Sequence, residues 1–175
     1  MKPNWISLPA ILTGLILLLA PSISARAQTD QIIYGDSLAA GWENWSWASA
    51  NFSAASPVRT GTASLSVAAD GWEALYLHHS AFSTAGYTGL RFWIHGGSAG
   101  GQLLQVQATL GGVPQPPVTL SALVANSWQP VTLSLTALGV AGKSNFDGFW
   151  IQDRSGTTRP AFYLDDITLV AVPPP

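Results

Sequence analysis

Residues 89–96, GLRFWIHG, decide how this chain folds. Apolar side chains recur at every second position: Leu90, Phe92 and Ile94 fall on one side, and Arg91, Trp93 and His95 on the other. A period of two belongs to a β-strand with one face on a core, whereas a helix repeats every 3.6 residues. The glycines at both ends mark turns.

The same partition recurs along the chain. In LLQVQATL (103–110), Leu104, Val106, Ala108 and Leu110 oppose Gln105, Gln107 and Thr109; in FDGFWIQD (146–153), Phe149 and Ile151 oppose Trp150 and Gln152. In GWEALYLHH (71–79), Leu75 and Leu77 form the core side and leave Trp72, Tyr76 and His78 on the reverse. QPVTLSL (129–135), AFYLDDITLV (161–170) and shorter runs at 31–34, 42–50, 64–68 and 116–120 complete the set, with Gly, Pro, Asn or Ser clusters between them. The helical signal is confined to a turn in LTALGVAG (135–142), closed by Gly139 or Gly142. These patterns predict an all-β chain, a β-sandwich (jelly roll) of two antiparallel sheets with about 8–10 strands.

Residues 1–27 read as an export signal: Lys2 near the start, the apolar run ISLPAILTGLILLLA, and Ala25-Arg26-Ala27 as a small-x-small cleavage site. The expected organisation is that signal, one domain over 28–172, and a proline-rich tail or linker at 173–175. Beyond residue 27 the basic side chains are Arg59, Arg91, Lys143, Arg154 and Arg159, against nine acidic ones in the chain. No basic run is present, so neither nucleic acid nor an anionic membrane surface is an expected partner. The chain has no cysteine, which excludes disulfides and thiolate metal sites.

The polar faces of the four alternating runs carry the functional expectation. If their strands share a sheet, they build one surface of Trp93, Trp150, Tyr76 and Trp72 interleaved with Arg91, His78, His95, Gln105, Gln107 and Gln152. Such a surface suits polysaccharide: sugar C–H faces stack on indole rings, and hydroxyls take hydrogen bonds from amide and guanidinium groups. The alternative use of these tryptophans is to fill the sandwich core. WENWSWASANF (42–52) leaves the same two options open for Trp42, Trp45 and Trp47.

Catalysis finds little support. Gly35-Asp36-Ser37-Leu38 spells the four letters of an esterase family in which the serine is the nucleophile, but a serine hydrolase also needs a histidine and an orienting carboxylate. That family takes both from an Asp-x-x-His block near the C-terminus, and the last histidine here is His95. Glycoside hydrolysis needs two carboxylates about 5–10 Å apart, and Glu43 and Glu73 are the only glutamates. The expected protein is therefore not an enzyme. A small hydrolase or lyase, and a surface protein using the same scaffold for protein contacts, are the alternatives.

Asp165 and Asp166 lie inside the last strand-like run, with Asp165 on the side of Ile167 and Leu169. A carboxylate drawn inward needs compensation, and calcium, bound through oxygen ligands, is the expected ion in an exported protein. Asp36 joins the set if the first and last strands pair, with carbonyls near Thr60–Thr62 completing it. A salt bridge to Arg59 or Arg159 is the other reading.

Taken together, YGDSL followed by GWENWSW, VRTGTASLSV (58–67), YTGLRFWIHGG (87–97), FDGFWIQD and FYLDDITLV (162–170) resemble the secreted carbohydrate-binding modules of galactose-binding-like jelly-roll fold, over residues 31–171. The resemblance implies a ligand surface on an aromatic-bearing sheet face. It also implies a structural calcium site on the early acidic residue and the closing Asp-Asp-Ile pattern. The sugar and the oligomeric state are left open.

Overall fold

The structure, a computed structural model, describes Met1 and residues 28–173. Apart from Met1, the expected export signal at 1–27 lies outside the described residues, as do Pro174 and Pro175 of the tail. Among the described residues twelve strands follow one another: β1 (Gln31–Tyr34), β2 (Trp42–Asn44), β3 (Ser49–Ala54), β4 (Ser64–Ala68), β5 (Ala74–Phe82), β6 (Tyr87–His95), β7 (Leu104–Leu110), β8 (Val113–Pro114), β9 (Val118–Thr119), β10 (Trp128–Ser134), β11 (Phe146–Asp153) and β12 (Phe162–Ala171). The count exceeds the expected one because β8 and β9 are two-residue ladders on β7, too short to show alternation. The helical signal at 135–142 is a pair of turns, with Gly139 at φ 73° and Gly142 at φ 64°.

The strands form two six-stranded antiparallel sheets. The first runs β10-β6-β12-β4-β3, with β1 also pairing β12; the second runs β2-β5-β11-β7-β8, with β9 also pairing β7. Their inner faces hold the aliphatic halves of the alternating runs. Leu90, Phe92, Ile94, Leu164, Ile167 and Leu169 of the first sheet meet Leu75, Leu77, Leu104, Val106, Phe149 and Ile151 of the second, all at most 1% exposed. Each such side chain contributes about 1.5–3 kcal/mol on burial, which makes this layer the main source of stability in a chain without disulfides. Trp42 belongs to it. Its ring, 5% exposed, packs against Phe82, Phe146 and Phe149.

Sheet membership corrects one expectation. β6 pairs with β10 and β12, while β5, β7 and β11 pair with one another. Arg91, Trp93 and His95 therefore lie on the opposite side of the sandwich from Tyr76, His78, Gln105, Gln107, Trp150 and Gln152. Alternation identifies which side chains point away from a core, but both sheets of a sandwich have such a face.

Candidate functional site

The outer face of the second sheet is built in cross-strand rows. Tyr76, Trp150 and Gln107 stand side by side on β5, β11 and β7; one row along, Ala74, Gln152 and Gln105 do the same; on the other flank Glu43 of β2 lies beside His78. Beyond Asn44 the chain leaves regular pairing but keeps following β5. The Trp45 N–H donates to the Tyr76 carbonyl at 2.9 Å, and the Trp47 N–H to the Ala74 carbonyl at 3.2 Å. This lays two indoles over the sheet.

Trp45 and Trp47 are 53% and 44% exposed. Trp45 lies flat on the His78 imidazole, with centroids 3.5 Å apart and planes 10° apart. Trp47 meets Trp150 at 5.7 Å and 72°, and Tyr76 packs edge-on against both Trp47 and Trp150. A flat ligand cannot lie on both perpendicular indoles at once. A ring seated on one is flanked by the edge of the other.

Every indole N–H of this platform is already used. Trp45 Nε1 donates to Glu43 at 2.8 Å, Trp47 Nε1 to the Trp72 carbonyl at 3.0 Å, and Trp150 Nε1 to Gln107 Oε1 at 3.2 Å. These bonds fix the orientation of the rings and leave their π-faces as contact surface. The glutamines are also tied together: Gln105 Nε2 donates to Gln152 Oε1 (2.8 Å) and Gln107 Oε1 (3.3 Å), Gln107 Nε2 to the Gln115 carbonyl, and Gln152 Nε2 to the Trp72 carbonyl. A primary amide has two N–H groups and a two-lone-pair oxygen. Gln107 and Gln152 each retain a donor, and Gln105 retains its oxygen.

Glycine and a buried acid shape this surface from below. Gly148 sits at a bulge of β11 with φ 150°, and a Cβ there would come within 2.5 Å of the Leu77 carbonyl and 3.0 Å of the Tyr76 ring. Trp72 holds the left-handed φ of 68°, a conformation that costs a non-glycine residue about 1–3 kcal/mol. Asp153, 1% exposed, holds that turn: Oδ2 accepts the N–H groups of Trp72, Ser155 and Gly156, and Oδ1 accepts the Ser155 hydroxyl. The Trp72 carbonyl in turn orients Trp47 and Gln152. Burial first, with the Asp147 carboxylate adding to it, pushes the Tyr76 phenol up, so it stays neutral.

On the other sheet, His95 is 7% exposed, packed against Trp128 and Tyr163, with Nδ1 accepting the Gly97 N–H. It stands on the other sheet from the aromatic platform, and burial holds the imidazole below its ordinary pKa. Trp93 is half-buried with the Arg59 guanidinium 4.2 Å above its ring, and Arg91 pairs with Asp30 at 3.1 Å.

The acidic set gathers where β1 and β12 pair beside the 59–63 loop, with Asp165 fully buried as its position predicts. Its compensation is not a cationic side chain. Asp165 Oδ2 accepts the backbone N–H groups of Arg59 and Thr60, its Oδ1 accepts that of Asp166, and Asp36 Oδ1 accepts those of Thr62 and Ala63. Asp166 Oδ1 accepts the Thr60 hydroxyl. The Thr62 and Ala63 amides hold the Asp36 carboxyl below the usual range, whereas at Asp165 burial outweighs its own three amide bonds and raises it. Calcium requires converging oxygen ligands. Here the loop turns N–H groups toward Asp165 and Asp36, and among the described residues no three His, Cys, Asp or Glu side chains converge as a metal-holding group. Backbone amides therefore compensate the Asp165 and Asp36 carboxylates.

Ser37 is exposed, and the three histidines are engaged elsewhere: His78 stacks under Trp45 beside Glu43, His79 bonds the Ser80 carbonyl and His95 accepts the Gly97 N–H. Glu73 accepts the Asp70 N–H and lies just before β5, not in the strand. Trp45 and Trp47 are the platform residues the alternating runs did not single out. The W-S-W spacing was the available signal, but the segment is irregular, and only its bonds to β5 put it over the sheet.

No family model matches the chain. A Dictyostelium discoideum endoglucanase is 30% identical over 156 residues, an alignment that takes in 79% of this chain and 21% of that protein. The chain thus spans about a fifth of the length of this relative. Among solved structures, a family 29 carbohydrate-binding module variant complexed with mannohexaose superposes with a TM-score of 0.56 at 13% identity, covering 81% of this chain and 90% of that one. Another variant of that module, complexed with cellulohexaose, gives 0.54 at 15% identity over 81% and 89%. The fold is the β-jelly roll of these modules.

Proposed function

We propose that the protein is a non-catalytic carbohydrate-binding module that holds neutral polysaccharide on the platform of Trp45, Trp47, Tyr76 and Trp150, with Gln105, Gln107 and Gln152 supplying hydrogen bonds and Trp72 closing one end. The observation that carries this reading is the locking of three indole N–H groups by internal acceptors beside a row of linked amides. Rings fixed in this way meet a sugar without losing rotamer freedom on binding. Glu43 and the buried Asp147 are the carboxylates next to the rings, and among the described residues no Lys or Arg side chain bonds into the platform, so an acidic polysaccharide meets repulsion and a neutral one does not. The complexes of the structural neighbours with mannohexaose and cellulohexaose support β-linked neutral glycans as the first ligands to try.

The export pattern at residues 1–27 supports a secreted or cell-surface location, where polysaccharide is met. The likeness to part of an endoglucanase supports a place beside a catalytic partner. For calcium we infer that the fold does not require it, because backbone amides already bond both oxygens of the buried Asp165 and Oδ1 of Asp36. Affinity electrophoresis of the intact domain in gels containing glucomannan, hydroxyethylcellulose, pectin or no polymer tests the reading. Retardation by the neutral polymers and none by pectin is expected; free migration in every gel refutes it.

A further inference from the structure

Trp93 and Arg91 lie on the face the platform does not use, and they border a groove of about 590 Å³ between β1 and β6, floored by β12. Its walls are Asp30, Ile32, Arg91, Trp93, Asp166 and Thr168. One cross-strand row, Arg91–Thr168–Ile32, runs through it. Ile32 is 61% exposed, an apolar side chain left in solvent beside a half-buried indole.

The polar groups around it retain bonding capacity. Arg91 gives one terminal nitrogen to Asp30 at 3.1 Å, leaving the rest of its fork, and Asp166 uses Oδ1 for the Thr60 hydroxyl. Asp166 is held at φ 51° where β12 bulges between its β6 partners, and strain of this kind is characteristic of ligand-holding positions. The charges balance, with Asp30 and Asp166 against Arg91 and the Arg59 guanidinium on Trp93. Asp30 spends Oδ2 on Arg91 and Oδ1 on the Ala171 N–H, so the free part of the Arg91 fork and Asp166 Oδ2, beside an indole, are the groups that match a neutral ligand with adjacent hydroxyls. Its volume suits a short oligosaccharide rather than a protein face.

We propose that this groove is a second carbohydrate-binding site, on the opposite side of the sandwich from the platform, and that the module is bivalent. One domain then bridges two glycan chains, or binds one surface with an avidity neither site has alone.

The test is a two-dimensional ¹H–¹⁵N titration of the domain with cellohexaose and with mannohexaose, following the indole resonances of Trp93, Trp45, Trp47 and Trp150. Expected is a saturable shift of Trp93 that persists in Trp47→Ala/Trp150→Ala, and a three- to tenfold weaker Trp93-reported affinity in Arg91→Gln with the platform resonances titrating as before. A Trp93 resonance unmoved by both sugars, or moving only with the platform and silent in the double variant, overturns the second site. Movement of Trp93 without the platform resonances upholds the groove and overturns the platform, so the two proposals fail separately.

Discussion

Removing the Asp153 carboxylate disables the platform from beneath, without touching the ligand surface. In Asp153→Ala three backbone amides and one hydroxyl lose their acceptor, at 3.3, 2.9, 3.0 and 2.8 Å. Hydrogen bonds to a charged group are worth about 1.5–3 kcal/mol each, but Gly156 is exposed and water replaces part of the loss. The strain at Trp72 is also released once its N–H is free. The net cost is about 2–4 kcal/mol, which leaves a folded domain within the usual 5–15 kcal/mol. With the turn relaxed, the Trp72 carbonyl no longer positions Trp47. Loss of one ordered aromatic contact is worth about 0.5–1.5 kcal/mol, a roughly 2- to 13-fold weaker affinity for a hexasaccharide. Urea unfolding, calorimetric titration and near-ultraviolet circular dichroism measure the three consequences, the last because Trp47 and Trp150 are coupled at 5.7 Å. Trp72→Gly is the control. It keeps the turn's N–H and carbonyl and tolerates the left-handed φ, so the Trp47–Trp150 band stays. An Asp153→Ala protein with the dichroism band and affinity of wild type refutes the argument even if its stability falls.

Three further outcomes follow from the same geometry. Gly148→Ala puts a Cβ against the Leu77 carbonyl at a positive φ and costs about 2–4 kcal/mol in urea unfolding, with Tyr76 displaced; a neutral substitution contradicts the packing. His95 takes up its proton in the unfolded chain at about 6.5 and in the folded one only at lower pH. The unfolded state therefore binds more protons below that value, and stability drops as pH falls from about 7 toward 5. His95→Gln flattens the slope of the urea midpoint over that range, and an unchanged slope counts against burial as its cause. Chelator and added calcium leave the melting temperature within about 1 °C of each other; a rise of several degrees with calcium means that the ion displaces the amides at Asp36 and Asp165.

Much of this was legible in the sequence, though unevenly. Residues 89–96, 103–110 and 146–153 give their faces away because alternation is local, and Leu90, Phe92, Val106 and Ile151 are buried as that rule requires. Which strands share a sheet is a long-range matter: Trp93 and Trp150 have the same local pattern and stand on opposite sides, because β6 pairs with β10 and β12. Asp165 could be read as buried from its neighbours Ile167 and Leu169, but not its partners, since the amides of Arg59 and Thr60 come from a loop more than a hundred residues earlier. Trp45 and Trp47 lie in an irregular segment whose course depends on Tyr76 and Ala74 carbonyls. Periodicity says nothing about such a segment.

The central claim is that fixed indole faces on the second sheet hold a neutral glycan. Isothermal titration of the wild-type domain and of Trp47→Ala/Trp150→Ala with cellohexaose and mannohexaose, on proteins matched in far-ultraviolet dichroism, tests it directly. Two lost aromatic contacts predict roughly 5- to 150-fold weaker affinity for the sugar that the wild type binds more tightly. Equal affinity of the two proteins, or no heat from either sugar with the wild type, contradicts it.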